Sequence, residues 1–364
     1  MTTSPIDDKA CFRGKIAIMQ AVLYHRCGEQ PFLQTVPDPT PKPDGAVIRV
    51  EATGLCRSDW HGWQGRDPDI RSFPHIPGHE FAGEVVAVGK DVRHNLIGQR
   101  VTMPFVAGCG TCHECASGNQ QVCDHQFQPG FTAWGSFAEY VAVRYAEGNL
   151  VPLPGNITSA AAASLGCRMA TAYRAVAIQG AVREGMWMAV HGCGGVGLSS
   201  VMIGAALGAR VIAVDVRSEP LQLAQQLGAE AILNASDFGD IPAAIHGLTG
   251  RGADVSLDAL GSNATFANSI LSLRKRGRHV QVGLLTEEAT LPVAPMSRLI
   301  AWELEVVGSH GMQAHAYPEL FKLIESGKLA PERLVDRVLP LETVPQELAA
   351  MGEYMGCGVT LFEP

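Results

Sequence analysis

The chain has 364 residues, 46% hydrophobic and 18% charged, with 40 Gly and 22 Pro. This is the composition of a globular protein rich in tight turns, and it excludes a disordered or low-complexity chain. The length exceeds what one hydrophobic core usually serves, so two domains are expected. A net charge of -8 argues against a nucleic-acid partner, which calls for surplus Lys and Arg, and no apolar run is long enough to suggest a membrane span.

Residues 1–18 carry Asp7, Asp8, Lys9, Arg13 and Lys15 and no long apolar core. They read as a frayed extension, not as a signal peptide or membrane anchor. From Met19 to about Ala146 short β-rich runs alternate with Pro and Gly, at residues 20–24, 46–53, 82–88, 100–103 and 136–143, which predicts an all-β module. Within it, residues 54–61 read Gly-Leu-Cys-Arg-Ser-Asp-Trp-His. That stretch packs a thiol (Cys56), a hydroxyl (Ser58), a carboxylate (Asp59) and an imidazole (His61) into eight positions. His79 follows in Pro-Gly-His-Glu, and Cys167 comes much later in Gly-Cys-Arg-Met-Ala-Thr. Cys56, His79 and Cys167 make a three-ligand set that leaves one position of a tetrahedral zinc open, as a catalytic zinc requires.

Cys109, Cys112, Cys115 and Cys123 cluster within one lobe of this module. The spacing suits a closed four-thiolate zinc that ties down a loop with little core of its own. Chance clustering and an iron–sulfur site are the alternatives, the latter disfavoured because no Pro follows the last cysteine. His113 and His125 read as solvated bystanders. Of ten cysteines, six thus fall at metal-ligand spacing, a cytosolic pattern of thiol use that argues against a disulfide framework.

Beyond residue 150 the texture changes. Small residues at helical spacing over 158–165 lead into strands and helices in alternation. An apolar run at 186–191 is followed by Gly192-Cys-Gly194-Gly195-Val196-Gly197, a helical stretch at 198–207, a strand at 210–214 and then Asp215. Strand, glycine turn, helix, strand and acid form the dinucleotide fingerprint in its proper context. Gly192 makes the tight turn, Gly194 admits the pyrophosphate, and Gly197 lets the helix pack on the strand. Cys193 is a tolerated small residue. Further strands are expected at 231–233, 254–257, 279–282 and 304–308, giving a six-strand parallel sheet. A clear helix is expected at 262–273, with the basic run Arg274 to Arg278 as a solvated turn. After Ser309 a helix at 317–326 and a final strand at 358–362 close the chain.

Together, Cys56 to His61, Gly78 to Glu80 and Cys167 to Tyr173 resemble the zinc-dependent alcohol dehydrogenases of the medium-chain dehydrogenase/reductase superfamily. The resemblance runs from about Met19 to the C-terminus. It implies an α/β chain with a GroES-like β-rich catalytic domain, residues 1–168 and 309–364, and a Rossmann doubly wound domain, residues 169–308. It implies Cys56, His79 and Cys167 as catalytic zinc ligands, Glu80 as an occasional ligand behind them, Asp59 orienting the His79 ring, and a structural zinc on the four-cysteine lobe. The alcohol proton would leave by Ser58 and His61, with Arg57 on the cofactor pyrophosphate. Thr171 and the turn Val282, Gly283, Leu284 would meet the nicotinamide, and Trp63, Phe105 and, less directly, Trp134 would wall the substrate cleft.

Asp215 at a strand end is expected to select NAD by accepting from the ribose hydroxyls, with Arg217 able to soften the discrimination against NADP. The family's frequent C-terminal phosphate-binding arginine is missing, the place reading Gly356-Cys-Gly358. The expected activity is reversible oxidation of an alcohol, primary or aromatic by preference, to an aldehyde or ketone with NAD and two zinc ions, by a cytoplasmic homo-oligomer, dimer or tetramer. A polyol or amino-alcohol dehydrogenase of the same superfamily is the alternative, disfavoured because polyol members commonly place a carboxylate where Cys167 stands. A non-catalytic dinucleotide-binding protein is the other, opposed by the intact set Cys56, Ser58, His61 and His79.

Overall fold

The computed structural model of the chain describes residues 17–285, 293–352 and 357–364. The extension expected at the N-terminus lies outside the described residues up to residue 16, and Gly356 lies outside them too. The first strand begins at Ile18 and pairs antiparallel with Phe32–Pro37.

The β-rich part forms a seven-stranded sheet in the order Val335–Pro340, Val359–Glu363, Ala46–Gly54, Glu80–Val88, Arg100–Thr102, Val151–Pro152, with Tyr140–Val143 also pairing Ala46–Gly54. The last strand returns to the first half of the chain, with Leu361 opposite Gly54 and Phe362 opposite Thr53. Ala46, Ile48 and Val50 of its long central strand pack with Phe81, Val85 and Val101 in one buried cluster.

Residues 187–308 supply a six-stranded sheet, ordered Ala231–Asn234, Arg210–Asp215, Trp187–His191, Ala253–Asp258, Leu273–Gln281, Glu305–Gly308, with every pairing parallel. Trp187–His191 is buried at every position, which is why it reads as a continuous apolar run and not as an alternation. The strand order reverses between it and Ala253–Asp258, opening a crevice at the carboxyl ends of the strands. Helices Gly195–Ala206, Ser218–Gln226, Ile241–Thr249 and Asn263–Leu271 make the crossovers. Two start on side-chain caps: Asp240 Oδ1 accepts from Ala243 N at 2.9 Å, and Ser262 Oγ from Thr265 N at 3.1 Å, each satisfying an otherwise orphaned amide.

The basic run Arg274 to Arg278 is not a solvated turn. It lies within strand Leu273–Gln281, with Arg276 at φ +60°. Its charges are matched across the sheet, Arg274 Nε to Asp254 Oδ1 and Arg278 Nη2 to Glu305 Oε2, both at 2.5 Å. The expected helix at 158–165 is Ser159–Ala163, which widens into π-turns at Leu165–Met169. Among the described residues no helix is long and apolar enough to cross a membrane.

Candidate metal and dinucleotide site

Strand Ala46–Gly54 ends where Cys56 precedes the helix Arg57–Trp63. Asp59, one turn into that helix, reaches back so that its Oδ2 accepts from Cys56 N at 2.9 Å. Its Oδ1 accepts from Gly78 N at 3.0 Å and pairs with His79 Nδ1 at 2.8 Å. Asp59 and His79 are fully buried, and a carboxylate can only accept, so His79 donates through Nδ1 and turns outward its Nε2, the nitrogen that would give its lone pair to a metal. That Nε2 is buried and has no hydrogen-bond partner. Gly78 holds φ +99°, and a Cβ there would lie 2.7 Å from Phe137 N, so the loop that delivers His79 needs glycine.

Cys167 arrives on the π-turn Leu165–Met169, a helix irregularity that often marks functional sites. A Cβ on Gly166 would sit 3.0 Å from Met103 O and 3.4 Å from Glu80 Cα, and this close approach brings the π-turn onto strand Glu80–Val88. One ligand atom each from Cys56, His79, Glu80 and Cys167 lies within 4.8 Å of the others. Cys167 beside it holds the Cys56 thiol well below the ordinary cysteine range. Two sulfurs, an orphaned imidazole nitrogen and a nearby carboxylate fit a zinc ion. The Glu80 carboxylate is also claimed by Arg168, whose Nε donates to Oε1 at 2.9 Å and whose Nη2 pairs with Oε2. Burial pushes the Glu80 carboxyl up, while Arg168 pulls against that.

A second set, Cys109, Cys112, Cys115 and Cys123, likewise converges within 4.8 Å. Backbone amides point at its sulfurs: Cys109 N and His125 N at Cys123 Sγ, both 3.2 Å, and Cys115 N at Cys112 Sγ, 3.4 Å. Donors aimed at thiolates are what a four-sulfur zinc clip needs, and hydrogen bonds from Thr111 hold the Cys109 thiol down to about 6. His113 and His125 are absent from both sets.

The rings beside His79 are Phe131, with centroids 4.9 Å apart, and Phe105 at 6.1 Å. Phe105 also meets His310 edge-on at 5.3 Å. Trp63 belongs elsewhere: it is packed in the core with Tyr24, Leu55 and Ile76, its Nε1 donating to Glu29 O at 2.6 Å. Trp134 is more than a third exposed and donates to Pro74 O at 2.8 Å. Both indoles are anchored through their N–H groups, as buried or loop tryptophans often are, and neither is among the rings paired with His79. Phe131, Arg168 and His310 were not singled out in the sequence.

Ser58 and His61 stand three residues apart on the helix Arg57–Trp63, hence on one face. Burial, then the charges of Arg57 and Arg66, holds His61 below the ordinary histidine range. Arg57 begins the same helix. Its Nη1 donates to Met351 O at 2.9 Å, and its guanidinium lies 4.6 Å over the Trp60 ring.

On the other side of the crevice Gly192 (φ +92°) opens the turn and Gly194 precedes the helix Gly195–Ala206. A Cβ at Gly197 would fall 1.8 Å from Gly192 O, whereas at Gly194 it would meet nothing within 4 Å. Gly197 is thus glycine for packing, and Gly194 faces open space at a helix N-terminus, where phosphates bind. Val196 follows in the first turn of that helix. Asp215 Oδ2 accepts from Cys193 N at 2.7 Å and Oδ1 from Arg217 N at 3.0 Å. Val282 N and Gly283 N donate to Asp258 O at 3.0 and 2.9 Å, which sets their turn on the same carboxyl edge, with Leu284 exposed. Thr171 is buried one turn beyond Cys167.

This pairing of a three-ligand metal set on a β-rich fold with a glycine turn on a Rossmann sheet defines a zinc-type dehydrogenase. Residues 42–155 match the family described as "Alcohol dehydrogenase GroES-like domain" and residues 195–326 the family "Zinc-binding dehydrogenase". The chain is 33% identical over 299 residues to an alcohol dehydrogenase of Geobacillus stearothermophilus, covering 82% of this chain and 86% of that one. It is 30% identical over 354 residues to an NAD-dependent alcohol dehydrogenase of Sulfurisphaera tokodaii, covering 95% and 100%. Its fold superposes on the alcohol dehydrogenase TADH of Thermus sp. ATN1 with a TM-score of 0.86 at 31% identity, covering 95% and 99%. The chain belongs to the zinc-dependent alcohol dehydrogenases of the medium-chain dehydrogenase/reductase superfamily.

Proposed function

We propose that this NAD-dependent zinc alcohol dehydrogenase oxidises small primary or aromatic alcohols to aldehydes, reversibly, and carries a zinc ion at each of its two cysteine-containing sets. One observation carries the reading: His79 Nε2 is buried without a partner, held to that orientation by Asp59 and grouped with the Cys56 and Cys167 sulfurs. Zinc held there by Cys56, His79 and Cys167 supplies a Lewis acid that acidifies a substrate hydroxyl.

The residues around it do the rest. Oxidation removes a hydride from the alcohol carbon to nicotinamide and a proton from its oxygen. Ser58 and His61 give that proton a path along one helix face, and because His61 is held below the ordinary range it is neutral and ready to accept at neutral pH. Phe105 and Phe131 exclude water and favour flat or apolar substrates. A polyol would need polar groups to meet its further hydroxyls, and the rings beside His79 offer none. The glycine turn and the helix Gly195–Ala206 take the pyrophosphate, and Asp215 takes the adenosine ribose.

A substrate panel tests this. Benzyl alcohol and a short primary alcohol with NAD should exceed butane-2,3-diol and sorbitol by about tenfold or more in kcat/KM, the factor that ~1.4 kcal/mol of differential binding gives. Preference for the polyols would overturn the substrate assignment.

A further inference from the structure

Arg168 directly follows a zinc ligand, yet only 4% of it is exposed. Its main-chain N, Nε and Nη2 are all committed on one side. Its main-chain N donates to Glu80 Oε1 at 3.1 Å and its Nε to the same oxygen at 2.9 Å. Nη2 pairs with Glu80 Oε2 and donates to Leu55 O at 2.8 Å. Nη1, by contrast, has no hydrogen-bond partner among the described residues, although every other nitrogen of the side chain has one. This free corner lies against the glycine turn: a Cβ built on Gly195 would be 3.3 Å from Arg168 Cδ and 3.4 Å from Nη1. Gly195 is the first residue of the twelve-residue helix Gly195–Ala206, whose N-cap, Gly194, faces open space.

A buried guanidinium with one unused N–H edge at a helix N-terminus is arranged for an anion, since the helix end and the arginine both favour negative charge there. The geometry also meets an electrostatic need. Arg168 stands between the Glu80 carboxylate and the turn that must admit a doubly charged pyrophosphate. Arg57, the expected phosphate partner, has its Nη1 on Met351 O, and the family's C-terminal arginine is absent from Cys357 and Gly358.

We propose that Arg168 is the positioning residue that joins the metal centre to the cofactor, with Nε and Nη2 holding Glu80 and Nη1 binding the dinucleotide pyrophosphate at Gly195. This rests on the dinucleotide reading above and adds a residue to it. The fork is two-sided, so loading the cofactor and fixing the carboxylate behind the metal are one event. Lysine, a point charge without a fork, cannot serve both sides.

The test is equilibrium binding, without turnover, of NADH, ADP-ribose and adenosine to the zinc-loaded protein by fluorescence and calorimetry. It uses the parent, Arg168→Lys, Arg168→Met and the double variant Arg168→Met with Glu80→Gln. The double variant leaves no orphaned carboxylate if the single one fails to fold. Kd for NADH and ADP-ribose should rise about tenfold or more in both methionine variants, as expected for one lost charge-assisted hydrogen bond, and less in the lysine variant. Adenosine, which lacks the pyrophosphate, should bind as to the parent, and zinc content should stay the same. Unchanged ADP-ribose affinity in the double variant overturns the proposal, as does an equal loss for adenosine, which would mark a merely structural arginine. A parent that binds adenosine but neither NADH nor ADP-ribose refutes the phosphate contact, and one that binds none of the three refutes the dinucleotide reading with it.

Discussion

Asp59 Oδ1 stands 2.8 Å from His79 Nδ1 with both groups fully buried, and this one contact decides which nitrogen of the imidazole faces the metal. The same carboxylate also holds the Cys56 and Gly78 amides, so it locks two ligand-bearing segments together. Asp59→Asn keeps the shape but loses the charge and can present an N–H to His79. Zinc affinity at this site should fall about 10- to 100-fold, read as faster zinc release to a chelator. Release at the parental rate would show that Asp59 does not set the ligand.

The four-cysteine lobe should behave as a fold element. Its thiols converge under amides from their own loop, and it has little core beyond Cys115 and Cys123. Cys112→Ser opens the clip and should lower the Tm by several degrees through lost metal-coupled folding energy. Zinc should fall by about one equivalent per chain. A variant that melts like the parent would mean that the lobe holds no metal.

Acid should weaken the dinucleotide sheet through two histidines. His191 Nε2 is buried without a partner, and burial, then nearby His279, holds its pKa down to about 3. Burial holds His279 down to about 4. Above the unfolded value of about 6.5 both forms are neutral and stability is complete. As pH falls below that, the unfolded chain takes up protons that the folded chain refuses, and stability drops by about 1.4 kcal/mol per pH unit for each histidine. Between pH 6.5 and 5, His191→Leu should reduce the slope of unfolding free energy against pH by about one proton. An unaltered slope would contradict the assignment.

The four-cysteine lobe and the glycine turn were legible in the sequence because each is a local spacing of chemically special residues, and the open set Cys56, His79 and Cys167 because three separate short motifs together resemble one family pattern. Arg168 was not legible. A single arginine in a helical stretch has no pattern, and its partner Glu80 lies 88 residues away. Trp63 and Trp134 were not legible in their anchoring for a related reason, since position after a motif does not say which way a ring points, and both donate to carbonyls of distant loops. Strand Phe32–Pro37 escaped because only Val36 is buried in it, so it lacks the alternation that marks a half-buried strand. The run Arg274 to Arg278 read as a turn because a strand end with cross-strand ion pairs looks, in sequence, like any solvated basic cluster.

Cofactor choice should follow Asp215. Its carboxylate already holds Cys193 N and Arg217 N, which fixes it at the strand end beside the glycine turn, where a ribose 2'-phosphate would meet like charge. The parent should prefer NAD by about tenfold or more in kcat/KM, and Asp215→Gly should shift the balance towards NADP. Equal use of both cofactors by the parent would remove Asp215 from the ribose.

The most direct test of the account is Cys167→Ser, which deletes one sulfur of the open metal set and leaves the four-cysteine lobe and the Rossmann sheet intact. Zinc per chain, NADH affinity, melting temperature and alcohol oxidation should be measured on the same preparation. The account predicts the loss of about one zinc and of turnover, with NADH still bound and the Tm close to the parent's. Parental turnover in a variant that has lost that zinc would contradict it.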